Sequence, residues 1–89
     1  MTWRVEFAKG AQKDLAKLDA AGRSRVLRFL AERIERGDDP RQLGEALKGP
    51  VVGRYWKCRV GDCRIICNLQ DELVLVLVIR VGHRREVYR

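Results

Sequence analysis

The chain offers little of what most enzyme classes need. It has one histidine, at position 83, and one serine, Ser24, which lies in an arginine-rich stretch with no acid–base partner in view. Serine-hydrolase chemistry is therefore excluded. Its three cysteines, Cys58, Cys63 and Cys67, are odd in number and lack paired CxxC spacing, so neither a zinc site nor a disulfide framework is expected. They read as small buried hydrophobes. No glycine-rich phosphate loop of the P-loop type is present. The longest apolar run, residues 73–79, has the length of a strand and is too short to span a membrane. The first residues, MTWRVEF, lack the apolar core of a signal peptide. These absences predict a soluble cytoplasmic protein without metal or cofactor.

What is present is a modest core and an excess of positive charge. Hydrophobic residues make up 46% of the 89, enough for one packed domain spanning residues 1–89. Net charge is +7 at pH 7. Residues 1–47 hold ten basic and eight acidic side chains, and residues 48–89 hold nine and four, so the C-terminal half carries most of the excess. Such a balance favours an anionic partner, whether nucleic acid, a ribosome or an acidic protein, although solubility alone also accounts for many basic surfaces.

The pattern of apolar residues changes near residue 50, from helical to alternating. Trp3, Val5 and Phe7 alternate with Arg4 and Glu6, which predicts a short half-buried strand. Ala8, Ala11, Leu15 and Leu18 then form one helical face, with Lys13, Asp14 and Lys17 mostly outside it. DAAG at 19–22 breaks the pattern, and Val26, Leu27, Leu30 and Ile34 restore it until GDDP at 37–40. This is an antiparallel helical hairpin. Residues 41–53 read as a loop, with at most one helical turn.

Strands follow. Residues 54–60 and 63–69 flank Gly61-Asp62, a two-residue loop whose leading glycine suits a type II′ turn. With that loop fixed, Val60 pairs with Cys63, Arg59 with Arg64, Cys58 with Ile65, Lys57 with Ile66, Trp56 with Cys67 and Tyr55 with Asn68. Alternation places Val60, Cys63, Cys58, Ile65, Trp56 and Cys67 on a core face and Tyr55, Lys57, Arg59, Arg64 and Asn68 on a cationic one. Arg59 opposite Arg64 costs ~0.2–1 kcal/mol by like-charge repulsion. A bound phosphate turns that cost into a gain; a screened surface tolerates it. After a turn at Asp71-Glu72, residues 73–81 predict a strand buried on both faces. Gly82 then lets the chain turn, bringing RVGHRREVYR, residues 80–89, to one edge of the cationic face. The predicted architecture is α+β: a small antiparallel sheet with an N-terminal helical hairpin packed on one face.

A group made of Lys57, Arg64, His83, Arg84 and Tyr88 suits RNA transesterification. RNA brings its own nucleophile, the 2′-OH. The protein need only orient it, exchange protons and stabilise charge on the phosphorane, which arginine and lysine do. Tyr88 reads either as a proton-transfer group, its pKa lowered by neighbouring cations, or as a platform on which a base stacks. From the residues alone, a nuclease and plain nucleic-acid binding both stay open.

WRVEFAKGAQKDLAKLD, LKG at 47–49, RVGDCRII at 59–66 and RVGHRREVYR at 80–89 resemble the RelE/ParE superfamily of toxin–antitoxin toxins, closest in the GHRREVY ending to its RelE-like branch. The resemblance implies a ribosome-dependent endoribonuclease that cuts mRNA in the A site by metal-independent 2′-OH attack, leaving a 2′,3′-cyclic phosphate. It places the family's catalytic positions on Lys57, Arg64, Arg84 and Tyr88. His83 takes a position that is lysine in some relatives, and a sheet lysine of the family falls on Tyr55. Arg59, Tyr55, Lys48 and Arg85 are the expected RNA-binding residues. The spacing from Arg84 to Tyr88 is two residues shorter than in the best-known branch. The resemblance further implies a cognate RelB-like antitoxin that masks the basic face in a hetero-oligomer. The same scaffold also serves ParE-type inhibitors of DNA gyrase, and a toxin relic kept as a binding or repressor module is a third reading.

Overall fold

The structure, a computed structural model, describes residues 3–37, 40–46 and 55–83. Strand β1 (Arg4–Phe7) leads into helix α1 (Lys9–Lys17) and helix α2 (Ala20–Phe29). The second helix widens into π-type turns over Leu30–Glu35. A single 3-10 turn, Pro40–Leu43, precedes β2 (Gly44–Ala46). Then come β3 (Tyr55–Val60), β4 (Cys63–Gln70), a 3-10 turn at Asp71–Leu73 and β5 (Leu75–His83).

The five strands form one sheet in the order β1-β5-β4-β3-β2. Three of its pairings are antiparallel, but β1 runs parallel to β5, with Arg4 opposite Leu75 and Phe7 opposite Val78. The sheet is thus mostly antiparallel, as expected, with one parallel pair at its β1 edge. The helical hairpin leaves β1 and packs across the sheet, so β1 meets the last strand rather than its own neighbour in sequence. Val26, Leu30 and Ile34 from the second helix are buried with Cys58, Ile65, Cys67, Val76 and Val78 from the sheet. Burying each such side chain contributes about 1.5–3 kcal/mol, and this apolar layer is what joins helices to sheet.

The connection of the helical hairpin is short, as its sequence implies. Within DAAG, Asp19 caps α2, its carboxylate accepting the Gly22 N–H at 2.7 Å, and Ala20, Ala21 and Gly22 are already helical. Ending the preceding helix leaves carbonyls without partners. Arg23 adds donors at this end, Nη2 to the Leu18 carbonyl at 3.0 Å and Nε to the Leu15 carbonyl at 3.1 Å, which also accepts the Leu18 N–H. A second clamp ties α1 to β5. Once β1 ends at Phe7, the β5 edge has no strand beside it. The Asp14 carboxylate covers it, accepting the Val81 N–H and the Arg80 Nε, both at 2.9 Å.

The β3–β4 register is the one read from the sequence, pair for pair, from Val60 opposite Cys63 to Tyr55 opposite Asn68. Gly61 has φ +60° and Asp62 does not share a positive φ, as the type II′ turn requires. Cys58, Val60, Cys63, Ile65 and Cys67 lie buried on the core face, and Trp56 is half-buried there.

Three expectations fail. Within 41–53, residues 44–46 form an edge strand rather than loop. Gly44 permits it: a Cβ there would sit 2.1 Å from the Lys57 carbonyl oxygen, so only glycine lets β2 approach β3 this closely. The last strand begins at Leu75, two residues late, because Val74 adopts a left-handed conformation (φ 48°) in the turn after Asp71–Leu73. It also runs on through Gly82, which is not a turn but the partner of Arg64. A shift of register between Ile66 and Cys67 leaves Ile79 unpaired as a bulge.

Candidate functional site

The sheet's second face carries the charge. Lys57 and Arg59 leave β3 on the same side, two residues apart, and Arg64 lies across from Arg59 on β4. Beside them, Leu43, Gly44 and Glu45 wall a cleft of about 270 Å³ that Lys57, Arg59 and Arg64 also line. Arg59 is exposed, whereas Arg64 is only 8% exposed, so the expectation of an open cationic surface is corrected at this residue. Gly82, directly opposite, has no side chain to compete for room on that face.

Burying a guanidinium is costly unless its donors are used. Arg64 uses Nη1, which donates to the Cys63 carbonyl at 3.1 Å and the Gly61 carbonyl at 3.4 Å. Among the described residues, no carboxylate pairs with Arg64 or Arg59. Lys57 is held differently: its Nζ lies 2.9 Å from Glu45 Oε1, with its side chain one-quarter exposed. The cleft thus combines three cations with one carboxylate, and its guanidinium donors suit a phosphate.

Of the residues expected at the site, Lys57, Arg59 and Arg64 converge on this cleft. Tyr55 opens β3 on the same face, half-buried, and does not line it. His83 ends β5 opposite Cys63, one position beyond the Gly82–Arg64 pair. Lys48, Arg84, Arg85 and Tyr88 lie outside the described residues. Glu45 was not foreseen. It enters through β2, and a three-residue strand is too short to show alternation.

The thiols are not poised as nucleophiles. Cys67 hydrogen-bonds Cys58, and this contact, with burial, pushes the Cys67 thiol well above its ordinary value of 9.0. Cys58 is lowered by the same contact against its own burial. Burial raises Cys63, the pull of Arg25 notwithstanding. All three are free and buried, as small core residues are expected to be. Among the described residues there is no group of three His, Cys, Asp or Glu side chains able to hold a metal ion, and no helix is long and apolar enough to cross a membrane.

A helical hairpin on one face of a five-stranded sheet, with cations gathered on the other, is the α+β architecture of RelE toxins. A mutant of the Escherichia coli toxin RelE in the free state superposes with a TM-score of 0.77 at 30% identity, covering 99% of this chain and 92% of that one. The toxin–antitoxin complex RelBE2 of Mycobacterium tuberculosis gives a TM-score of 0.84 at 27% identity, over 94% of this chain and 100% of that one. In sequence, the chain is 30% identical over 89 residues to Toxin RelG of Mycobacterium tuberculosis (strain ATCC 25618 / H37Rv), spanning 100% of this chain and 99% of that protein. Residues 5–88 match the family model for the ParE toxin of the type II toxin–antitoxin system parDE. The chain belongs to the RelE/ParE superfamily and is a toxin of the type II toxin–antitoxin class.

Proposed function

We propose that the chain is a ribosome-dependent mRNA endonuclease that cuts in the A site without a metal ion. The observation that carries this reading is the buried Arg64 guanidinium, set beside Lys57 and Arg59 in one cleft with no carboxylate partner of its own among the described residues. The 2′-oxygen attacks the adjacent phosphorus as its proton passes to a base. The bond from phosphorus to the 5′-oxygen breaks, and that oxygen takes up a proton. The products are a 2′,3′-cyclic phosphate and a 5′-hydroxyl. Arg64 and Lys57 stabilise the charge that builds on the phosphorane oxygens, the largest contribution that fixed donors make.

Proton transfer and further charge stabilisation fall to His83, Arg84 and Tyr88. Arg84 follows His83 directly in sequence, and His83 pairs with Cys63, the neighbour of Arg64. Arg59, Tyr55, Lys48 and Arg85 bind the flanking RNA backbone and bases. A cognate antitoxin, RelB-like as in the complexes this fold resembles, covers the basic face in a toxin–antitoxin hetero-oligomer; the +7 charge suits an acidic partner segment. The site of action is the cytoplasm, where ribosomes are, and residues 1–89 act as one domain.

The test is a reconstituted translation system with a defined codon in the A site and primer extension to map new 5′ ends. A cut within that codon that requires ribosomes supports the reading; intact mRNA overturns it. The match to the ParE model favours a second reading, inhibition of DNA gyrase without nuclease activity. Loss of supercoiling by purified gyrase, with mRNA intact, is its signature.

A further inference from the structure

Arg64 depends on a turn for its aim. Its Nη1 donates to the carbonyls of Cys63 and Gly61, at 3.1 and 3.4 Å. Among the described residues its Nε and Nη2 have no partner, and together they form the fork that matches two phosphate oxygens. Whatever fixes the two carbonyls therefore fixes which edge of the guanidinium the cleft presents. Cys63 is held on both sides by the ladder, opposite Val60 and His83. Gly61 lies outside the ladder, in the left-handed conformation (φ +60°). Behind the turn, on the helix side, is a cavity of about 290 Å³ whose walls include Arg25, Asp62, Cys63 and Gly82. The turn is thus backed by open space rather than by a packed layer.

Arg25 meets the turn from that side. It leaves α2 one residue before Val26, which is fully buried in the apolar layer, so the backbone that carries it is fixed. Its side chain lies against Gly61: a Cβ there would be 2.9 Å from Arg25 Nη1 and 3.5 Å from its Cδ. Glycine at 61 therefore serves twice, permitting the positive φ and leaving room for Arg25 against the backbone. We propose that Arg25 is a positioning residue of the site: it braces Gly61 from the helix side, and the Gly61 carbonyl holds Arg64 with its Nε–Nη2 edge toward the phosphate. This rests on the reading of the cleft as the cleavage site. Arg25 is exposed and makes no hydrogen bond or ion pair among the described residues. Such an arginine otherwise reads as a free surface cation or as a contact to an RNA phosphate, and the three roles differ in what its removal does.

The test is single-turnover cleavage of A-site mRNA on programmed ribosomes by the wild-type chain, Arg25→Ala, Arg64→Ala and the double variant. Arg25→Ala should lower the maximal rate about tenfold, short of the loss of about 10²–10³-fold expected for Arg64→Ala, and leave the chain concentration at half-maximal rate unchanged. In the double variant the losses should not multiply: its rate should equal that of Arg64→Ala, because Arg25 has nothing left to position. A phosphate contact by Arg25 instead raises the half-maximal concentration in a salt-dependent way, and its loss multiplies with that of Arg64; that result overturns the proposal. A rate unchanged in Arg25→Ala overturns it too. NMR relaxation with isotope-labelled arginine gives a readout without cleavage. The Arg64 Nε–H should become more mobile in Arg25→Ala, while the Arg23 Nε–H, bonded to the Leu15 carbonyl, stays as in the wild type. Equal loosening of both marks a merely structural role and overturns the proposal. Absence of wild-type cleavage, or cleavage indifferent to Arg64→Ala, overturns the cleft reading and this inference with it.

Discussion

Arg64 and Ile65 are neighbours in β4, and their side chains leave opposite faces of the sheet. Both are buried, Ile65 completely and Arg64 to 8% exposure. Ile65 sits in an apolar layer with Val26, Ile34 and Val78. Arg64 sits between a carbonyl-lined turn and a cleft with two other cations, and its burial costs rather than contributes. One face of the sheet carries the apolar layer, the other a cleft whose guanidinium donors suit an anion. The difference shows that burial alone does not reveal what a residue is for; its partners do.

That comparison can be broken by two substitutions one residue apart. Ile65→Ala leaves a cavity in a layer closed by helix and sheet, and should cost about 2–5 kcal/mol in urea unfolding. Cleavage should fall only as far as the folded population falls. Arg64→Ala should do the reverse. Loss of one preorganised donor to the phosphorane should lower the A-site cleavage rate about 10²–10³-fold. Stability should change by less than about 1 kcal/mol, because two weak carbonyl contacts are lost while the repulsion from Arg59 is relieved. If both variants lose stability and activity in proportion, the two faces are not separable as described.

Asp14 sharpens the comparison at its boundary, where helix meets sheet edge. Its carboxylate, with 12% of the side chain exposed, accepts both a backbone N–H and a guanidinium. Asp14→Ala leaves the Val81 N–H without its partner in a part-buried position and should destabilise by about 1–3 kcal/mol. Hydrogen exchange should place the loss at the Val81 amide. Unchanged protection there would show that the clamp is dispensable.

How much of this was legible follows from how strongly each segment constrains itself. Gly61-Asp62 fixes a two-residue turn, and once it is fixed, period-two alternation dictates every pair from Val60–Cys63 to Tyr55–Asn68. Lys57, Arg59 and Arg64 were therefore placed on one face from sequence alone. Residues 73–79 have no alternation to read. Neither the left-handed Val74 that delays β5 nor the bulge at Ile79 leaves a compositional mark. Gly82 carried a turn signal, but the position needed a missing side chain opposite Arg64, and one glycine serves either purpose. Glu45 was illegible because its partner Lys57 is twelve residues away across a strand too short to show a period. The expected positions at Lys48, Arg84, Arg85 and Tyr88 rest on family resemblance.

The smallest effect expected concerns the thiols of the apolar face. Cys67 has its thiol pushed well above 9.0 by its hydrogen bond to Cys58 and by burial, and Cys63 is raised by burial. A folded-state pKa above the unfolded one means that the native state holds the proton longer. The stabilisation from this difference is complete below the unfolded thiol value of about 8.5 and is lost progressively as pH rises through the folded value. Cys58, lowered by the same contact, opposes part of the loss. Unfolding free energy should therefore decline from about pH 8.5 upward, and Cys67→Ala should flatten that decline while removing Cys58's partner as well. A stability profile with the same slope in Cys67→Ala as in the wild type would move the alkaline sensitivity away from the apolar face and onto groups outside it.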